Sequence, residues 1–150
     1  MRVMALDYGM RAIGVAVSDE LKLTARPLTT LRRERRSLSH VIERICALIE
    51  EYEVESLIVG LPLRMDGRRG DAALRVERFI QELQKWINIP VVAYDERLTS
   101  QAADEILRMQ GASRRQRRAR SDELAAAVIL QDYLSTSATA SGPLMAPAPY

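Results

Sequence analysis

The chain has 150 residues, the size of one compact domain, and 47% of them are hydrophobic, enough for a sizeable core. Its formal charge is only +2, from 22 basic and 20 acidic residues, so bulk charge does not mark a polyanion binder, although the arginines come in clusters. The single cysteine, Cys46, excludes an internal disulfide framework and fits a reducing compartment.

In chain order, Val3-Met4-Ala5-Leu6 is a short apolar run that ends in Asp7-Tyr8-Gly9, a strand followed by a turn. The run is shorter than the roughly 7–15 apolar residues of a signal-peptide core. No later stretch approaches the roughly 20 residues of a membrane span. The expectation is a cytoplasmic protein with no membrane contact. Ile13-Gly14-Val15-Ala16-Val17 reads as a second strand and residues 23–31 as a third, joined by links short enough for an antiparallel meander.

The period then changes. Leu38, Val41, Ile42, Ile45, Leu48, Ile49 and Tyr52 recur at helical spacing and predict an amphipathic helix over about 37–52, with Cys46 a core residue. Leu57-Ile58-Val59 is a fully apolar strand closed by Gly60-Leu61-Pro62. Ala73, Val76, Ile80, Leu83 and Ile87 mark a second helix, and Val91-Val92-Ala93 a last strand ending in Tyr94-Asp95-Glu96-Arg97. A third helix is expected to start near Thr99 and stop before Gly111. A final one should run from the N-cap Ser121 to about Leu134. Residues 1–134 then form one domain, and residues 135–150, rich in Ser, Thr, Ala and Pro, a disordered tail.

Apolar strands linked by helices are parallel and buried. The element order therefore predicts an α/β fold. Its mixed five-stranded sheet has three antiparallel N-terminal strands and two parallel ones, with helices on both faces. In such sheets the functional crevice opens at the carboxyl ends of the parallel strands. Asp7 and Glu96 end strands there. Asp122 falls in the first turn of the last helix, on the apolar face of Ala125, Ala126, Ile129 and Tyr133, where an uncompensated carboxylate is costly. Three converging carboxylates without a His or Cys ligand set suit a hard cation, Mg²⁺ or Mn²⁺. A pair of such ions about 3.5–4 Å apart supports phosphodiester hydrolysis. Each acid also has a plain structural reading: Asp7 as a turn residue, Glu96 as an ion-pair partner of Arg97, Asp122 as a first-turn acid. The one histidine, His40, sits at a helix start and is not expected in the site.

Residues 7–19, Asp7-Tyr8-Gly9-Met10-Arg11-Ala12-Ile13-Gly14-Val15-Ala16-Val17-Ser18-Asp19, resemble the opening motif of the YqgF family, described as Holliday junction resolvase-like or as pre-16S rRNA nucleases. Gly60-Leu61-Pro62-Leu63-Arg64-Met65-Asp66-Gly67, Asp95-Glu96-Arg97-Leu98-Thr99-Ser100 and residues 121–131 resemble its remaining motifs, in order. The resemblance implies an RNase H-like fold and divalent-metal phosphodiester hydrolysis by Asp7, Glu96 and Asp122. It further implies a cytoplasmic role in maturing the 5′ end of pre-16S rRNA. Two positions depart from the family pattern: Ala12 stands where a basic residue is common, and Arg64 where a small polar one is.

The expected partner is precursor rRNA, free or on ribosomal particles. Arg114, Arg115, Arg117, Arg118 and Arg120, directly before the last helix, would grip its phosphates, as would Arg11 and Arg97. Arg64, Arg68 and Arg69 would form a second, flexible clamp around Gly67 and Gly70, and Tyr8 is the aromatic placed to stack a base. A DNA-junction resolvase, which should be a dimer because it makes two symmetric cuts, and a non-catalytic RNA-binding or ribosome-assembly protein are the alternatives. The chain itself leaves monomer or homodimer open. With no acid at the end of the fourth strand, Glu96 must reach Asp7 across an intervening strand, a backbone gap of about 10 Å at ~4.8 Å per strand.

Overall fold

The computed structural model describes residues 1–33, 37–96 and 121–139, with the side chains of the last helix described over 123–136. Five strands form one sheet: β1 (Arg2–Tyr8), β2 (Ala12–Ser18), β3 (Ala25–Arg32), β4 (Val54–Leu61) and β5 (Val91–Asp95). Their order is β3-β2-β1-β4-β5. β1 pairs antiparallel with β2 and β2 with β3, whereas β1–β4 and β4–β5 are parallel. This is the predicted mixed sheet.

Alternation along each strand sorts side chains between two layers. Met4 and Leu6 of β1, Ile13 and Val15 of β2, and Leu57 and Val59 of β4 face helices α1 (Leu38–Glu51) and α2 (Asp71–Trp86). Val3 and Ala5 of β1 and Ile58 of β4 face the last described helix, α3 (Ser121–Thr139). Alanines line much of that second interface: Ala5, Ala16 and Ala25 on the sheet, Ala126 and Ala127 on α3, all essentially buried. Small residues on both sides let α3 lie close to the strands. Leu130 of α3 is fully buried there, a contribution of roughly 1.5–3 kcal/mol.

α1 begins where the pattern predicts, with the Ser37 hydroxyl accepting the His40 backbone N–H at 3.3 Å. His40 itself is exposed, and Cys46 is half-buried against the α1/α2 core. Burial, followed by the nearby Glu43 carboxylate, raises the Cys46 thiol pKa, so the thiol stays protonated and inert.

α3 corrects one expectation. It continues to Thr139, five residues past the predicted end at Leu134. Residues 135–139 of the expected disordered tail are helical. The predicted helix starting near Thr99 and the rest of the tail lie outside the described residues. No described helix is long and apolar enough to cross a membrane.

Candidate functional site

Asp7 lies next to last in β1, directed by alternation to the α3 side of the sheet, and is half-buried. The turn behind it is tight: Gly9 N–H donates to the Ala12 carbonyl at 2.9 Å, and a Cβ on Gly9 would stand 2.6 Å from that same oxygen. Any larger residue at position 9 would force the hairpin open beside Asp7.

Glu96 comes from β5, two strands away, because β4 lies between. Leu6 pairs with Val59, Gly60 with Tyr94 and Leu61 with Asp95. Gly60 therefore occupies the place on β4 between the two acids, on the α3 side where Ile58 also points. A Cβ at Gly60 would lie 2.6 Å from Glu96 Oε1, 3.1 Å from its Cγ and 2.8 Å from Ile129 Cδ1. The Glu96 side chain thus crosses β4 through the space a side chain at position 60 would fill. The 10 Å gap expected from strand spacing is closed by a glycine.

Across that glycine the two carboxyls meet. The Glu96 carboxyl is pushed up to about 7, first by burial, then by the charge of Asp7 and a hydrogen bond shared with it, and lastly by Asp95. Two carboxylates this close disfavour each other's ionisation. Asp7, Glu96, Ala125, Val128 and Ile129 line a cavity of ≈ 280 Å³ that opens between the strand ends and α3. Asp122, the second residue of α3, stands one helical turn before Ala125; its side chain lies outside the described residues, and the convergence of all three acids remains an expectation. Among the described residues no three His, Cys, Asp or Glu side chains group.

Buried polar contacts fix α3 against this cavity. Tyr94 donates its hydroxyl to the Asp132 carboxylate and meets Tyr133 edge-on, ring centroids 6.0 Å apart. Burial first, then Asp132, holds the Tyr94 phenol well above its ordinary pKa, so it remains a donor. Gln131 accepts from Ala25 N–H at 3.0 Å and donates to the Leu23 carbonyl at 3.2 Å, tying α3 to the start of β3.

The basic residues expected at the site divide. Arg11 is exposed on the β1–β2 hairpin. Arg64 follows β4, its guanidinium lying over Gly70, where a Cβ would come within 2.8 Å of Nε. Contacts within the loop join the residues expected to form a clamp. Arg64 N–H donates to the Arg68 carbonyl and Gly67 N–H to the Arg64 carbonyl, at 2.9 and 2.8 Å. Arg68 pairs with Asp66 at 3.6 Å and Arg69 with Glu77 of α2 at 2.9 Å. The last pairing is ionic but not a hydrogen bond, because Glu77 Oε1 is buried without an aligned donor. Arg97, Arg114, Arg115, Arg117, Arg118 and Arg120 lie outside the described residues. Tyr8 packs on Phe79 at 4.5 Å and under the Arg33 guanidinium at 4.6 Å.

Sequence reasoning missed Gly60 and Arg33. Gly60 was legible only as a strand end, since its part depends on the register of three strands. Arg33 belongs to an arginine-rich stretch in the sequence, Arg32-Arg33-Glu34-Arg35-Arg36, and the contact of Arg33 with the Gly9 carbonyl needs the β2–β3 pairing.

Residues 1–136 match the family model described as "RuvX: Holliday junction resolvase". A protein of Roseiflexus sp. (strain RS-1), described as a candidate pre-16S rRNA nuclease, is 49% identical over 135 residues, covering 90% of this chain and 94% of its own. A protein of Syntrophus aciditrophicus (strain SB) with the same description is 46% identical over 134 residues, covering 89% and 88%. Among solved structures, T. thermophilus RuvC bound to a Holliday junction substrate superposes with a TM-score of 0.58 at 20% identity, covering 96% of this chain and 99% of that one. The fowlpox virus resolvase, solved with Holliday junction DNA, gives 0.54 at 11% identity, covering 91% and 99%. At such identities these two structures speak to the fold alone, and that fold is RNase H-like. The order of motifs, the sheet that carries them and the match over nearly the whole described chain make this protein a member of the RuvX/YqgF family.

Proposed function

We propose that the protein is a cytoplasmic, divalent-metal-dependent nuclease that hydrolyses phosphodiester bonds of precursor 16S rRNA at the cleft between Asp7 and Glu96. The observation that carries this reading is the path of the Glu96 side chain over Gly60 to meet Asp7. A half-buried carboxyl pair is electrostatically costly, and here it lines a cavity between the strand ends and α3. The donor set is all oxygen, with no histidine or cysteine lining the cavity, which fits Mg²⁺ or Mn²⁺ and not zinc.

Asp7 and Glu96 would hold the cation, with Asp122 as the third ligand. A bound ion pair would supply an activated water and stabilise the departing oxygen. The chain itself does the positioning. β1 fixes Asp7, the Gly60 gap sets how far Glu96 reaches, and Ala125, Val128 and Ile129 form an apolar wall that limits water around the carboxylates. Arg11 on the β1–β2 hairpin and Arg64 after β4, together with the arginines over 114–120, would bind phosphates electrostatically and with weak sequence selectivity.

The relatives' descriptions support rRNA as the substrate, while the description of the family model favours a second reading, resolution of DNA junctions. The two separate in one experiment. Labelled pre-16S-like RNA and a four-way DNA junction are incubated with protein and Mn²⁺ or Mg²⁺, with Asp7→Asn and a chelator as controls. Metal-dependent cleavage of the RNA alone supports the proposal. Cleavage of the junction alone, by a protein that sediments as a dimer, supports the alternative. RNA binding without cleavage of either substrate points to an assembly factor.

A further inference from the structure

The end of β3 lies against the β1–β2 hairpin. Ala12 pairs with Arg32, and Arg33 N–H donates to the Arg11 carbonyl at 2.9 Å. Arg11, Arg32 and Arg33 therefore gather at the end of the sheet that carries Asp7. Arg11 and Arg32 are exposed, and Arg33 is half-buried. Among the described residues none of the three forms an ion pair with a carboxylate, whereas Arg2, Lys22, Arg68, Arg69 and Lys85 all do. Like charges brought together repel one another, and the repulsion is relieved when a polyanion binds.

Arg33 is also held in a defined pose. Its Nη1 donates to the Gly9 carbonyl at 2.9 Å, and its guanidinium sits 4.6 Å from the Tyr8 ring centroid. The Tyr8 ring in turn rests on the buried Phe79. Holding the plane of the guanidinium removes most of the side-chain entropy that binding a phosphate would otherwise cost. The rest of the planar fork remains to match two phosphate oxygens. By alternation Tyr8 faces the α1/α2 side of β1 and Asp7 the α3 side. Arg33 lies on the Tyr8 side, whereas Arg32, next to Leu31 of the α1/α2 core, alternates to the side of Asp7; the arginines thus bracket the end of the sheet beside the carboxylates.

We infer that Arg11, Arg32 and Arg33, buttressed by Tyr8, form a phosphate-gripping surface that holds the polynucleotide strand as it passes over the end of β1 into the Asp7–Glu96 cleft. This rests on the nuclease reading and adds to it the end of the sheet over which the strand enters. None of the three arginines touches the reacting bond; they bind and orient.

The test is the salt dependence of binding to labelled pre-16S-like RNA in metal-free buffer, where no cleavage intervenes. The variants are Arg11→Gln, Arg32→Gln and Arg33→Gln. Arg26→Gln is the control, because Arg26 is exposed at the opposite end of β3 and its loss changes net charge equally. An arginine that grips a phosphate, once replaced, lowers affinity about 5- to 10-fold near 0.1 M salt and reduces the slope of log K against log salt by nearly one. That result is expected for the Arg11, Arg32 and Arg33 variants and not for Arg26→Gln. Mn²⁺ affinity should be unchanged in Arg32→Gln, which separates substrate grip from upkeep of the acidic site. Equal affinities and slopes in all four variants would overturn the inference. So would a loss confined to Arg33→Gln and matched by weakened Mn²⁺ binding, which would reduce Arg33 to a support for the Gly9 turn. If wild-type protein binds RNA through this surface but cleaves nothing with metal, the surface stands and the nuclease reading falls.

Discussion

Alanine at position 60 adds one methyl group, and that methyl would occupy the space through which Glu96 passes, with Ile129 pressing from the other side. Neither neighbour is free to yield: Ile129 is buried in the α3 interface and Glu96 is drawn to Asp7. Gly60→Ala is expected to cost about 1–3 kcal/mol of stability through overpacking. It should also lower Mn²⁺ affinity at least tenfold, on the order of what displaced support around a metal ligand costs. Calorimetric titration of the folded variant checks this; wild-type affinity would mean Glu96 does not bind metal from this position. Glu96 gives a second prediction, in pH. Its folded-state pKa, about 7, stands above the ordinary value of 4.5. The metal-free protein therefore gains stability from the protonated carboxyl below about pH 4.5 and loses it as pH rises through 7. Glu96→Gln should remove that decline, making the variant more stable than the metal-free wild type above pH 7, as read from urea midpoints across pH 4 to 8. Parallel pH profiles for the two proteins would contradict the raised Glu96 pKa. The acids were legible in the sequence because a carboxylate ending an apolar strand stands out. Gly60 was not, because its meaning lies in what crosses it.

Helix α3 is the element that closes the site, and its register is set by polar contacts rather than by an amphipathic stripe. Tyr94 on β5 and Asp132 on α3 join the strand that precedes Glu96 to the helix that bears Asp122. Tyr94→Phe keeps the ring and its packing on Tyr133 but removes the hydroxyl that Asp132 accepts. Loss of a buried hydrogen bond to a charged group is expected to cost about 1–3 kcal/mol, measured by urea denaturation; a change below about 0.5 kcal/mol, the range of ordinary surface substitutions, would contradict that role. The same helix shows where pattern reading fails. Ser135-Thr136-Ser137 reads as the end of a helix, since hydroxyl residues compete for backbone groups. Here Thr136 Oγ donates to the Asp132 carbonyl at 2.8 Å and Ser135 Oγ lies 3.3 Å from Gln131 Nε2. The hydroxyls are satisfied inside the helix, and it runs on. In the loop after β4, ion pairs of Arg68 with Asp66 and of Arg69 with Glu77, and backbone bonds around Gly67, join residues whose contacts the sequence pattern does not show.

At the scale of the whole molecule, the order of elements was readable because two periods alternate cleanly: strands of continuous apolar residues between helices with a single wet face. Right-handed crossovers and short meander links leave few arrangements of such elements, and the sheet β3-β2-β1-β4-β5 is one of them. That topology brings β1 and β5 within reach of one another at their carboxyl ends, with only β4 between, and so makes a two-acid cleft from residues separated by most of the chain. The central claim is that this cleft hydrolyses RNA with a divalent cation. The most direct measurement is cleavage of labelled pre-16S-like RNA in Mn²⁺ by wild type, Asp7→Asn and Glu96→Gln, each confirmed folded by its unfolding transition. The account predicts cleavage that stops on chelation and falls at least about 100-fold in either variant, since even residues that only support a metal ligand cost 10- to 100-fold. Wild-type rates in both folded variants, or cleavage indifferent to the chelator, would contradict it.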